Sequence, residues 1–181
     1  MQEPNHPPIT FLTLISEEQI QSRVHELAAE IRKDFGDEEI ILVAILKGSF
    51  IFIADLSRHL GTNVIVDFMQ VSSYDGGLNS SGNVQIRKDL DINILGKNVL
   101  LVEDIVDTGL TLQYLRNMLE TRRPKALKVV SLLSKPECRL HNIEVEYIGF
   151  DIPNEFVLGY GLDYAERYRN LPCISIPQFP Q

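Results

Sequence analysis

The most regular pattern in the chain begins at Ser16. Apolar residues Ile20, Val24, Leu27, Ala28, Ile31 and Phe35 recur at three- and four-residue spacings, so they line one face of a helix. Ser16 stands where an N-cap is needed, Glu17 and Glu18 occupy the first turn, and Gln19 holds the capping-box position. Gly36 closes the stretch, and a helix is predicted over 16–35. The pattern then changes. Residues 40–46 (Ile-Ile-Leu-Val-Ala-Ile-Leu) are apolar at every position. A short run apolar on both faces predicts a parallel strand buried from both sides. Residues 99–102 and 126–133 read the same way.

Between these runs the polar positions return with helical spacing. A helix is predicted over 50–60, closed by Gly61, and another begins at Gly109 with Leu112, Leu115, Met118 and Leu119 along one side. Residues 63–73 read as a long strand and 84–88 as its antiparallel return, joined by a loop of small and polar residues. Shorter strands are predicted over 145–150 and 156–160, separated by Pro153, and the proline-rich tail reads as irregular. Strands alternating with helices predict an α/β fold whose central, mostly parallel sheet is flanked by helices. Ligands bind at the carboxyl ends of such strands. That directs attention to Lys47-Gly48, to 103–111 and to Lys135, each following a β-run.

Composition narrows the function classes. With 181 residues, 44% hydrophobic and 23% charged, the chain reads as one globular domain over 1–181 and not as a disordered segment. The net charge of −8 argues against a general nucleic-acid binder, although a phosphate site can still be built locally. Cys138 and Cys173 are far apart and show no metal or redox spacing, so free thiols in a reducing compartment are expected. The polar start, with Pro4, Pro7 and Pro8, lacks a signal-peptide core, and the apolar runs are too short to span a bilayer. A cytoplasmic protein with no membrane partner is expected.

The densest chemistry lies in Val102-Glu103-Asp104-Ile105-Val106-Asp107-Thr108-Gly109-Leu110-Thr111. Two adjacent carboxylates end a buried strand, where charge without partners is costly, so a cleft holding hydroxyls, cations or metal is expected there. Thr108 and Thr111 bring hydroxyls to a helix N-terminus, whose unpaired N–H groups attract phosphate. Gly109 allows the backbone to approach an anion closely. Acids for sugar hydroxyls beside donors for a phosphate suit a phosphorylated ribose. Helix capping by Asp107 or Thr108, with solvated acids, is the plain structural alternative. The run is neither a Walker A loop nor a dinucleotide fingerprint.

This ten-residue run resembles the 5-phosphoribosyl pyrophosphate (PRPP) motif of type I phosphoribosyltransferases, and in particular of the hypoxanthine–guanine enzymes. The resemblance extends over about 40–172. It implies the type I fold, with a small hood (135–181 plus N-terminal residues) and a flexible β-hairpin lid over 73–83. It further implies that Glu103, Asp104, Asp107, Thr108, Gly109, Leu110 and Thr111 bind the ribose phosphate. Some relatives carry a basic or polar residue at Leu110, so phosphate binding here rests on backbone and hydroxyls. Lys47, Gly48 and Arg169 would meet pyrophosphate, with a cis peptide preceding Lys47, while Ser73 and Tyr74 would close over the reaction. Ile105, Lys135, Phe156, Val157 and Asp163 would form the purine site, with Lys135 recognising a 6-oxo group and Phe156 stacking on the base. Glu103, Asp104 and Asp163 would share in holding Mg2+, and Asp107 is the candidate general base.

The expected activity is Mg2+-dependent transfer of a 5-phosphoribosyl group from PRPP to hypoxanthine or guanine, with release of pyrophosphate, in a homodimer or homotetramer. Alternatives within the class use xanthine, adenine or orotate, and Lys135 with Phe156 speaks against adenine. A nucleotide-sensing regulator on the same fold and a ribose-phosphate binder without turnover are the alternatives of another kind.

Overall fold

The computed structural model describes residues 9–73, 84–141 and 143–179. Strand β1 (Thr10–Ile15) leads into helix α1 (Glu17–Phe35), whose start is fixed by the sequence. The Ser16 side chain accepts from the Gln19 amide, and the Gln19 side chain accepts in return from the Ser16 amide. Then follow β2 (Ile40–Leu46), α2 (Phe50–Leu60), β3 (Val64–Ser73), β4 (Val84–Lys88), β5 (Asn98–Val106) and α3 (Leu110–Glu120). β6 (Ala126–Ser134), a 3-10 turn at Pro136–Cys138, β7 (Tyr147–Asp151) and β8 (Ile174–Gln178) complete the order.

Six strands form one sheet in the order β4-β3-β2-β5-β6-β7, parallel except for β3 with β4. The alternation along β2 shows why its sequence is apolar throughout. Ile40, Leu42 and Ala44 pack with Ile20, Val24 and Leu56 of α1 and α2, while Ile41, Val43 and Ile45 pack with Leu112, Leu115 and Leu119 of α3. Both faces are covered, and neither can carry polar residues without loss of burial. From β2 the chain proceeds to β3 on one side, and from β5 to β6 and β7 on the other. The crevice therefore opens between the ends of β2 and β5, at the topological switch point.

Four expectations are corrected. Residues 156–160 form no strand, because Gly159, Tyr160 and Gly161 take φ values of +98°, +48° and +105° and turn the chain; isolated bridges join Leu158 to Ser175 and Gly159 to Leu162. The tail is not irregular. β8 pairs antiparallel with β1, and Pro177 is accommodated opposite Phe11 because every strand of a two-stranded sheet is an edge. The run predicted to end at Val102 continues to Val106, since β6 offers partners to Glu103 and Ile105. The strand predicted over 145–150 begins instead at Tyr147, where pairing with Val130 starts. The lid expected over 73–83 lies, apart from Ser73, outside the described residues; Ser73 ends β3 and pairs with Val84. Among the described residues, no helix is long and apolar enough to cross a membrane.

Candidate active site

Glu103, Asp104 and Ile105 occupy the last turns of the pleat of β5, and Asp107 to Gly109 form the loop into α3. The helix is not capped by a side chain. Gly109 is its N-cap, at φ +87°, and neither Asp107 nor Thr108 performs the capping role. The hydroxyl of Thr108 makes only a long contact, 3.4 Å, with the Leu110 amide. A bulkier residue at Gly109 would meet the Ile143 side chain at 3.1 Å and the His141 carbonyl at 3.4 Å, besides requiring an unfavourable φ. His141 and Ile143 thus back the loop, and the Leu140 and His141 amides both donate to the Thr108 carbonyl, at 3.1 and 3.2 Å. The result is a cavity of about 230 Å3 lined by Glu103 to Gly109 together with Thr111 and Leu112. Leu110 starts α3 with its side chain exposed and does not line that cavity.

The electrostatics of the two carboxylates are unusual. Glu103 is only 6% exposed, and burial followed by repulsion from Asp104 raises its pKa well above the ordinary value. Asp104 is raised from 3.8 to about 6, chiefly by burial, against the opposing help of backbone N–H groups and Arg169. Its Oδ1 accepts from the Ile105 amide at 2.9 Å. Ionised, this pair calls for cations or hydroxyl donors that the protein alone does not supply in full.

Asp104 also borders a second cavity, of about 400 Å3, at the end of β2. Its other principal groups are Lys47, Gly48, Asp163, Glu166 and Arg169, with Gln70, Ser72 and Arg87 from β3 and β4. The Leu46–Lys47 peptide is cis. Gly48 is required by contact, since a Cβ there would lie 1.5 Å from Asp104 Oδ2. Gly161 in turn presses on Gly48, where an added Cβ would meet the Gly48 carbonyl oxygen at 1.9 Å. Arg169 is locked to that turn. Its Nη1 donates to the Gly161 carbonyl at 2.8 Å, while Nη2 pairs with Asp163 at 2.8 Å and with Glu166 at 3.3 Å. Lys47 Nζ meets Glu166 at 2.7 Å. The Tyr160 hydroxyl, buried, donates to Asp55 at 2.6 Å and ties the turn to α2.

The remaining predicted residues lie at the ends of β6 and β7 or in the loop before β8. Lys135 follows β6 and is 8% exposed, so it is not the solvated lysine that its sequence context alone would allow. Its amide donates to the Val106 carbonyl at 3.0 Å, which sets it beside the start of the Asp107 loop. Cys138 lies against Asp107; burial and then that carboxylate raise the thiol above its ordinary value. Val157 is buried, whereas Phe156 is 52% exposed and is flanked edge-on by Tyr164 at 5.9 Å. Ser73 is placed by its backbone only, and Tyr74 lies outside the described residues. Among the described residues, no group of three or more His, Cys, Asp or Glu side chains is gathered to hold a metal ion. Asp163 is already engaged on both oxygens, by Arg169 and by the Glu166 amide at 2.8 Å.

Sequence reasoning missed Glu166 and Arg87. Glu166 had one legible signal, its position three residues from both Asp163 and Arg169. Arg87 had none, because only the pairing of β4 with β3 brings it to the cavity.

Comparison with known proteins agrees with this geometry. Residues 15–165 match the model of the phosphoribosyl transferase domain. The hypoxanthine-guanine phosphoribosyltransferase of Streptococcus agalactiae is 51% identical over 163 residues, covering 90% of this chain and 91% of that protein. That of Bacillus subtilis is 49% identical over the same length. A crystal structure of a hypoxanthine-guanine phosphoribosyltransferase from Bacillus anthracis superposes with a TM-score of 0.89 at 53% identity, covering 93% of this chain and 99% of that one. A hypoxanthine phosphoribosyltransferase from Staphylococcus aureus gives 0.88 at 47% identity, covering 92% and 91%. With the family match spanning most of its length, and with relatives about half identical over nine-tenths of it, this chain belongs to the phosphoribosyltransferase family.

Proposed function

We propose that the protein transfers the 5-phosphoribosyl group of PRPP to hypoxanthine or guanine, in purine salvage. One observation carries the reading: two cavities, one lined by a phosphate-type loop and one by Lys47 and Arg169, meet at Asp104. PRPP has the same division, a 5-phosphate at one end and a pyrophosphate at the other, with the reacting carbon between them. The uncapped N-terminus of α3, with Thr108 and Thr111, receives the phosphate. Glu103 and Asp104 hold the ribose hydroxyls. Lys47, Gly48 and Arg169 receive the pyrophosphate, whose departure leaves a cationic sugar centre.

Lys135 donates to the 6-oxo group of the base, Phe156 offers an exposed face for stacking, and Val157 and Ile105 complete the purine site. An adenine amino group would meet the Lys135 donor with donors of its own. Asp107, exposed at the mouth of the first cavity, accepts the proton from the purine imidazole edge. Ser73 and Tyr74 close over the reacting atoms and exclude water.

A divalent cation suits this donor set. A buried and a half-buried carboxylate, both of raised pKa, are poorly satisfied without positive charge, and Mg2+ characteristically binds one or two carboxylates together with substrate oxygens. Glu103 and Asp104 are its protein ligands in this reading, and Asp163 contributes once Arg169 turns to pyrophosphate. When bound, Mg2+ neutralises the charge that develops on the pyrophosphate leaving group. Assembly into dimers or tetramers and a cytoplasmic location complete the proposal.

The test is release of pyrophosphate from PRPP, with and without Mg2+, offering hypoxanthine, guanine, xanthine and adenine in turn. Activity confined to the 6-oxopurines, and dependent on Mg2+, is expected. No release with any base would refute transfer and leave a nucleotide-sensing or merely binding protein. Asp107→Asn should slow transfer at least a hundredfold while PRPP still binds. Unchanged turnover in that variant removes Asp107 from the role of base.

A further inference from the structure

The cavity at the end of β2 holds an acid that the proposed chemistry leaves without a role. Glu166 Oε2 is 2.7 Å from Lys47 Nζ and 3.3 Å from Arg169 Nη2, the two cations assigned to pyrophosphate. We infer that Glu166 is a built-in substitute for pyrophosphate: its carboxylate occupies the anion position in the free protein and must be displaced when PRPP binds or when product pyrophosphate is held. This inference rests on the placement of pyrophosphate at Lys47 and Arg169.

Three features support an exchange over a permanent bridge. The cavity is formally balanced, with Lys47, Arg87 and Arg169 against Asp104, Asp163 and Glu166, so no cationic excess awaits an incoming polyanion while Glu166 is in place. Glu166 left in position would face pyrophosphate as a like charge at close range. Its side chain is 66% exposed, which gives it room to swing out, and exposed ion pairs are weak enough to be replaced by a multiply charged ligand.

The backbone aims this residue inward. Ala165 and Glu166 take φ values of +51° and +63°, conformations that residues with a Cβ rarely adopt. The turn is closed by the Tyr164–Arg167 bridge, and the Glu166 amide donates to Asp163 Oδ2 at 2.8 Å. Glu166 enters those contacts only through its backbone, so they do not depend on its carboxylate. The same ion pairs lower the pKa of Glu166, so at neutral pH it is a full anion. The effect on the reaction is on binding and release. An intramolecular anion weakens the hold on pyrophosphate and speeds its departure without touching the ribose or the base.

Titration of the whole protein with inorganic pyrophosphate, with and without Mg2+, tests this by calorimetry. Glu166→Gln keeps the side-chain shape and removes its charge. Loss of the exposed pair with Lys47 and the longer, partly buried pair with Arg169 is expected to tighten pyrophosphate binding about threefold to tenfold. The KM for PRPP should fall, and kcat should fall with it where release limits turnover. A variant that had merely lost structure would bind more weakly, so the sign of the change carries the test. Glu166→Ser serves as a second variant with the same expected direction. Binding that is unchanged or weaker in both variants overturns the inference while leaving the pyrophosphate site intact. Failure of the unmodified protein to bind pyrophosphate under either condition overturns the placement itself, and this inference with it.

Discussion

Replacing Asp104 by Asn should stabilise the ligand-free protein while abolishing its chemistry. In the folded state the Asp104 carboxyl has its pKa raised from 3.8 to about 6, chiefly by burial. Well below pH 3.8 the group is protonated in both folded and unfolded chains and costs nothing. As pH rises through the interval up to about 6 the unfolded chain ionises first, so stability falls. Above about 6 the full penalty is in place. One pKa unit corresponds to about 1.4 kcal/mol, so the burden at pH 8 is on the order of 3 kcal/mol before local relaxation. Asparagine retains Oδ1 for the Ile105 amide and carries no charge. Thermal unfolding without ligand should show the variant melting about 6–12 °C higher at pH 8 and no higher than the unmodified protein well below pH 3.8. With PRPP and Mg2+ the order should reverse, because ligand binding stabilises only the protein that can hold it. A ligand-free variant less stable at pH 8, or a gain of equal size at both pH values, would refute the account of a carboxylate buried for function at the expense of stability.

Further outcomes follow from particular contacts. Gly48→Ala should lower stability by about 1–3 kcal/mol in thermal or urea unfolding, because its Cβ would fall 1.5 Å from Asp104 Oδ2. Adding Asp104→Ala should restore much of that stability and none of the activity, and additive effects would mean that the clash is relieved elsewhere. Lys135→Gln, which can both donate and accept, should reduce kcat/KM for hypoxanthine about tenfold to a hundredfold and narrow the discrimination against adenine; steady-state kinetics with both bases decides this. Tyr160→Phe should cost about 1–2 kcal/mol of stability by leaving Asp55 without its buried hydroxyl partner, measured as a lower urea midpoint.

Much of the scaffold was legible before any coordinates. The helix from Ser16 and the all-apolar β2 follow from spacing and burial, which are local properties, and the structure reproduces both to within a residue. The Glu103–Thr111 run could be read as chemistry because a buried strand, two acids and a helix start are contiguous in sequence. Misreadings arose where long-range pairing decides. Ile174–Gln178 becomes a strand only because β1, from the other end of the chain, lies beside it. Phe156 to Tyr160 has strand-like composition, but Gly161 must pack on Gly48 and the chain turns to allow it.

What the amino-acid order determined by itself was therefore the main helices, the buried parallel strands and the succession of two acids and a helix start in 103–111. Each depends on neighbours within a few residues. Tertiary structure alone decided that Asp104 borders two cavities, that Gly48 must lack a side chain, and that Glu166 sits on Lys47 across 119 residues of chain. Those facts concern distances between segments remote in sequence, and such distances are set by how the sheet and its loops pack.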